Sequence, residues 1–161
     1  MVKKVLKSIK RDGVIATSKK VLRFVKYKIL IKQKKNIIND YVDVKKYSTV
    51  IIFENNFGWN KIMKQRPQQI AEALPEDTVI FYHSHEDCDY NEKVRINKLK
   101  ENLILIDLGY FRDNLLEALS EHANKYLMLY STDYIPYERV ELYKEYGYEI
   151  VYEYVDDINE D

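Results

Sequence analysis

The sequence holds one cysteine, Cys88, in 161 residues. An internal disulfide and a cysteine-built zinc site are therefore excluded, and a reducing compartment is the default setting. Four glycines and three prolines are too few for a low-complexity chain. No run of 18 apolar residues occurs, so no spanning helix is expected. Met1-Val-Lys-Lys4 opens like a signal peptide, but Lys7, Lys10, Arg11 and Asp12 interrupt any apolar core. No small-residue cleavage site follows, and we read the chain as unexported. There is no G-x-G-x-x-G and no P-loop, so an ATP or dinucleotide site has no motif and no cofactor is expected.

What is present is divided by charge. The 26 basic and 26 acidic residues cancel overall. Residues 1–47, however, carry 15 Lys or Arg against three acids, a net of +12. Residues 48–161 carry 11 against 23, a net of −12. We expect a basic arm over 1–47 and a separate body over 48–161.

In the arm, Val14, Val21, Leu22, Val25 and Ile29 recur at helical spacing, with Phe24, Leu30 and Ile31 widening the stripe. Lys19, Lys20, Arg23, Lys26, Lys28 and Lys32 fill the remaining arc. This predicts a basic amphipathic helix over residues 14–35. Such a helix can lie on an anionic membrane surface, each Lys or Arg contributing about 1 kcal/mol near the lipid. It can also pack its stripe on the body. Nucleic acid ranks last, because the arm offers few aromatics for base stacking and the acidic body repels phosphate. The expected site of action is cytoplasmic, peripheral at the inner face of the cell membrane, with no nucleic-acid partner.

Aromatics at 13%, including 15 tyrosines, argue for a packed body. Strand and helix signals alternate. Residues 49–54, 78–83, 103–107, 126–130 and 149–154 read as five strands. Residues 61–74 and 113–124 read as helices, and a third lies between Pro136 and Gly147. Residues 84–102 give no clear element. This alternation predicts an α/β, Rossmann-like, doubly wound domain with a mostly parallel five-stranded sheet. The first strand is expected at its centre, buried at Val50, Ile51 and Ile52.

Ligands of open parallel sheets bind beyond the carboxyl ends of the strands. Those ends carry Asn56, Gly58 and Trp59, then His83, then Asp133 and Tyr134, then Asp156 and Asp157. The set is polar and aromatic and suits a hydroxylated ligand. One cleft holding Gly58, Trp59, Arg66, His83, Asp133 and Asp156 is expected at that edge. His83 and Asp156 are the candidate catalytic groups. His83-Ser-His-Glu-Asp-Cys-Asp89 gathers metal-ligating types, but no second cluster accompanies it and no metal site is expected.

Phe57-Gly-Trp-Asn60 followed by Gln65-Arg-Pro-Gln-Gln-Ile-Ala-Glu-Ala-Leu74 resembles the N-terminal, acceptor-side half of GT-B glycosyltransferases related to glycosyltransferase family 4. Ile150-Val-Tyr-Glu-Tyr-Val-Asp-Asp157 and Tyr130-Ser-Thr-Asp-Tyr-Ile-Pro136 are similar to later parts of that half. The resemblance covers roughly 48–161. It implies sugar transfer from a nucleotide donor to a glycan or lipid-linked acceptor. It also implies substrate contacts at Asn56, Gly58, Trp59, Gln65, Arg66, His83, Asp133, Tyr134 and Asp157. The family's donor site belongs to a second domain that this sequence lacks, so a partner chain supplying it is expected and the chain alone is expected to be inactive. Arg66 offers an always-charged fork for an anion, and Trp59 a flat face for a sugar ring. Alternatively, Arg66 pairs with an acid and Trp59 packs on the sheet edge. The body as a whole then reads either as a transferase half or as a non-enzymatic module that pairs with another chain.

Overall fold

The computed structural model describes residue 18 and residues 37–55, 58–60, 63–84 and 95–154. Apart from Ser18, the expected arm helix over 14–35 lies outside these residues. So do Asn56, His85, Cys88, Asp156 and Asp157. Among the described residues, no helix is long and apolar enough to cross a membrane.

The fold is α/β, with a mixed, mostly parallel sheet of six strands. In chain order they are β1 (Thr49–Phe53), β2 (Thr78–His83), β3 (Ile96–Lys100), β4 (Leu103–Ile106), β5 (Lys125–Tyr130) and β6 (Glu149–Glu153). The order across the sheet is β3-β4-β2-β1-β5-β6. All neighbours run parallel except β3, which is antiparallel to β4. The expected count of five is corrected to six, and the extra strand comes from the stretch that gave no clear signal. In β3, Ile96 is buried while Lys98, Leu99 and Lys100 face solvent. An exposed edge strand needs no continuous apolar run, and its lysines discourage pairing with another chain.

The interior strands are continuous apolar runs because both of their faces are covered. Val50 and Ile52 of β1, Val79 and Phe81 of β2, Ile104 and Ile106 of β4, and Leu127 and Leu129 of β5 belong to one core cluster. Phe53, Ile80, Tyr82, Leu103, Leu105 and Tyr130 belong to a second. The alternation follows from the two-residue period of a strand. Helix α1 (Arg66–Ala73) packs on the second cluster through Ile70 and Ala71. Helices α2 (Leu108–Ala118) and α3 (Tyr137–Glu145) pack on the first through Leu108, Phe111, Leu115 and Tyr143. Residues 37–41 are helical, and Ile38 and Val42 join that larger core.

β1 is interior as expected, and Val50 and Ile52 are fully buried. Ile51 is only partly buried, because its face is covered mainly by the eight-residue α1. Two helix starts are also corrected. α1 begins at Arg66 rather than near 61, since Pro67 fits only a first turn. α2 begins at Leu108 and ends at Ala118, not 113–124. Asp107 is its N-cap residue, and Gly109 lies inside its first turn, where a Cβ would sit 3.1 Å from Asp107 Oδ1. α3 lies between Pro136 and Gly147 as expected, and Gly147 takes the left-handed φ of 78° that ends a helix.

Candidate functional site

At the carboxyl ends of the strands the functional side chains fall into two groups, one on each face of the sheet. The first is built by the Gln-Arg-Pro-Gln motif. Gln65 is the N-cap residue of α1, and the N–H of Gln65 donates to Gln68 Oε1 at 2.5 Å. That is the returning half of a capping box. Gln68 is wholly buried, and its Nε2 donates to the carbonyls of Gly58 at 2.9 Å and Trp59 at 3.3 Å. The second glutamine of the motif therefore ties the loop after β1 to the first turn of α1.

Trp59 closes that loop as a core residue. It is 8% exposed and meets Tyr82 edge-on, with ring centroids 4.9 Å apart. Tyr82 in turn stacks on Phe53 at 5.7 Å. Of the two roles the sequence allowed for Trp59, this is the packing role. Lys64, ion-paired with Glu72, lies 5.9 Å from the indole centroid.

Arg66 pairs through Nε with Glu153 Oε1 at the end of β6. The pair carries the start of α1 across to the outer strand. Beneath it lies Tyr130, the buried last residue of β5. Burial first, and then the neighbouring Glu153, Tyr82 and Asp133, push the Tyr130 phenol well above its ordinary pKa of 10. The backbone binds these ends together: Ser131 N–H donates to the Glu153 carbonyl at 3.0 Å, and Asp133 N–H to the Tyr130 carbonyl at 2.9 Å. Gly58, Trp59, Gln65, Arg66 and Asp133 thus share one region. Tyr134 projects beside it at 88% exposure.

His83 belongs to the other group. In β2 it follows the alternation of Val79 and Phe81, away from Tyr82 and Arg66. Its Nδ1 accepts the N–H of Leu108 at 3.2 Å, at the opening of α2. The structure therefore does not gather His83 with Arg66 in one cleft. Strand alternation puts them on opposite faces of the same edge, and the expected position of His83 is corrected.

The centre of the second group is Glu54, directly after β1 and 4% exposed. Continuing the alternation of Val50 and Ile52, it points between α2 and α3. Arg112 of α2 donates to it from Nη2 at 2.5 Å and Nε at 3.3 Å. Arg139 of α3 donates from Nη1 at 2.9 Å, and the Tyr143 hydroxyl at 2.5 Å. Burial and the adjacent Glu54 carboxylate hold the Tyr143 phenol well above its usual pKa. Burial opposes the Arg112 charge, but Glu54 outweighs it and the net direction is up. None of these four side chains stood out in the sequence. The one local signal was an acid closing an otherwise apolar strand run. Its partners lie 58 to 89 residues away.

A third pair, Arg95 Nη1 with Asp107 Oδ2 at 2.8 Å, seats the N-cap of α2. Among the described residues, no three His, Cys, Asp or Glu side chains are grouped to hold a metal ion. Comparison with known protein families, with curated proteins and with solved structures finds no match.

Proposed function

We propose that residues 48–161 form a Rossmann-like, doubly wound domain that is the acceptor-side half of a GT-B glycosyltransferase similar to family 4. The reaction would move a sugar from a nucleotide donor to a glycan or lipid-linked acceptor, with residues 1–47 holding the chain at an anionic membrane surface. The observation that supports the reading is the place of the Gln65-Arg-Pro-Gln68 motif. It opens the helix directly after the interior strand β1, beside β5, where the strand order reverses. That reversal is where ligands enter open α/β sheets.

In this reading Arg66 and Glu153 form the polar floor of the acceptor site. A sugar hydroxyl donates to the carboxylates of Asp133 and Glu153, and the Arg66 fork, two-thirds exposed, turns from Glu153 to the ligand. Tyr134 gives an exposed ring for the sugar face. Gln68 keeps the Gly58 backbone in place. The donor half comes from a second domain or a partner chain, so this domain alone gives no turnover.

The test is titration of the isotope-labelled chain, followed by amide NMR. Acceptor glycans should shift Gly58, Arg66, Asp133 and Glu153, and free nucleotide sugars should bind weakly or not at all. Tight, stoichiometric binding of a nucleotide sugar, or no response to any glycan, would overturn the assignment. The competing reading, a non-enzymatic module that pairs with another chain, draws on the outer strand, where Val151 and Tyr152, and Tyr154 just beyond it, are exposed. It gains if the chain self-associates or captures a second domain without any response to glycans.

A further inference from the structure

The cluster on Glu54 takes no part in the acceptor site and has the chemistry of a site of its own. The carboxylate accepts four hydrogen bonds, which fills its capacity. Among the described residues, two guanidiniums on one carboxylate leave one positive charge over. Glu54 is the ion-pair partner of both arginines, and neither makes another ion pair among the described residues.

Among the described residues, the hydrogen bonds also say which donors remain. Arg112 uses Nε and Nη2 on Glu54 and also bonds to the Tyr143 side chain. Arg139 uses Nη1, leaving Nε and Nη2. The Tyr143 hydroxyl donates to Glu54 and stays neutral, so no phenolate offsets the surplus. Arg139 is 36% exposed and Arg112 18%, so the charge is reached from solvent but only partly hydrated. Arg139 also lies in the first turn of α3, where the backbone N–H groups favour an anion. The cluster closes the end of β1 at the β1/β5 reversal, on the face opposite Arg66.

We propose that Arg112 and Arg139, held in place by Glu54, form a binding site for a singly charged oxyanion group of a small ligand. The charge matches one negative charge, and fork-shaped donors suit planar or tetrahedral oxyanions. Two ligand sources carry that group: a phosphodiester, and the carboxylate of an acidic sugar. The site stands independently of the glycosyltransferase reading.

The test titrates the labelled full-length chain with diethyl phosphate and, separately, with glucuronate, following the arginine Nε–H resonances. Binding should shift Arg112 and Arg139, and the tighter ligand names the source. Arg139→Gln should weaken that ligand about tenfold, the loss of one charge-assisted hydrogen bond. Lys98→Gln, which removes a charge from the exposed edge strand β3, should leave the affinity unchanged. Anions held on the basic arm are common to all variants and cancel. If Arg139→Gln does not fold, Arg139→Lys keeps the charge and loses the fork, and should weaken binding severalfold. Absence of Arg112 and Arg139 shifts with both ligands, or equal affinity in the Arg139 variant, overturns the site.

Discussion

Gln68, in the first turn of α1, donates its side-chain amide to the carbonyl of Gly58, ten residues earlier, at 2.9 Å. A buried polar side chain has thus replaced what would otherwise be an unpaired backbone carbonyl in a loop. The motif's two glutamines tie the loop to the helix, Pro67 starts the helix, and Gln65 and Arg66 are left to face solvent.

Replacing Gln68 with Met keeps its volume but removes the bonds to Gly58, Trp59 and Gln65. Stability should fall by about 2–3 kcal/mol, the cost of leaving buried carbonyls unpaired. Trp59 is the only tryptophan, so its fluorescence reports on the loop, and its emission should shift to the red. Unchanged emission with unchanged urea unfolding would show that Gln68 does not hold the loop.

Arg66→Gln should cost less than about 1 kcal/mol in the same unfolding assay, because its side chain is 67% exposed and exposed ion pairs contribute little. Glycan-induced shifts at Asp133 and Glu153 should nevertheless be lost. A large destabilisation would mean that the pair is structural, not a ligand site.

Tyr148 is buried, its hydroxyl has no hydrogen-bond partner among the described residues, and burial pushes its pKa up. Tyr143 is shifted in the same direction. Below pH 10 these phenols are protonated in both the folded and the unfolded chain, and no stability is lost. Above about pH 10 the unfolded chain releases the protons first, so stability falls as pH rises. Each buried tyrosine adds a slope of about 1.4 kcal/mol per pH unit. Tyr148→Phe should be neutral or stabilising by about 1 kcal/mol at pH 8, and should flatten the alkaline slope by one tyrosine's share. Urea unfolding at pH 8, 10 and about 11 measures both, and an unaltered slope would contradict the burial of this hydroxyl.

Lys125 Nζ donates to the Ser120 carbonyl after α2 at 3.1 Å and to the Tyr146 carbonyl ending α3 at 2.5 Å. It also lies 5.4 Å from the Tyr148 ring centroid. Lys125→Met should leave both helix ends short of a donor and cost about 1–3 kcal/mol. Amide hydrogen exchange should speed up at Tyr146 and Gly147 before it does in β1. Exchange unchanged at those residues would count against the staple.

Four of the six strands, β1, β2, β4 and β5, were legible because buried parallel strands are continuous apolar runs, and the exposed outer strand β6 showed itself by its Ile150-Val-Tyr152 run. β3 was not, since Ile96-Asn-Lys-Leu-Lys100 buries only its first residue and carries the charges of an edge. The end of α1 was legible from Leu74-Pro75, but its start was hidden because Ile62 and Met63 continued the helical spacing. At the site, the motif marked the right loop and helix. Its main partner, Glu153, was hidden inside a strand run, where alternation rather than residue type gives it away. The Glu54 cluster was the hardest to read: its groups come from β1, α2 and α3, and no local pattern links them.

The register of β1 has a consequence for how the chain is made. Val50 pairs with Val79 on one side and with Lys125, 75 residues later, on the other. At about 5–20 residues per second of synthesis, that second side stays open for roughly 4–15 s. During that time the nascent chain carries the Val-Ile-Ile-Phe run with one unsatisfied edge, open to any extended peptide that reaches it. A chaperone that shields short apolar segments near the ribosome exit would have its clearest target there, and the need for it ends when β5 emerges.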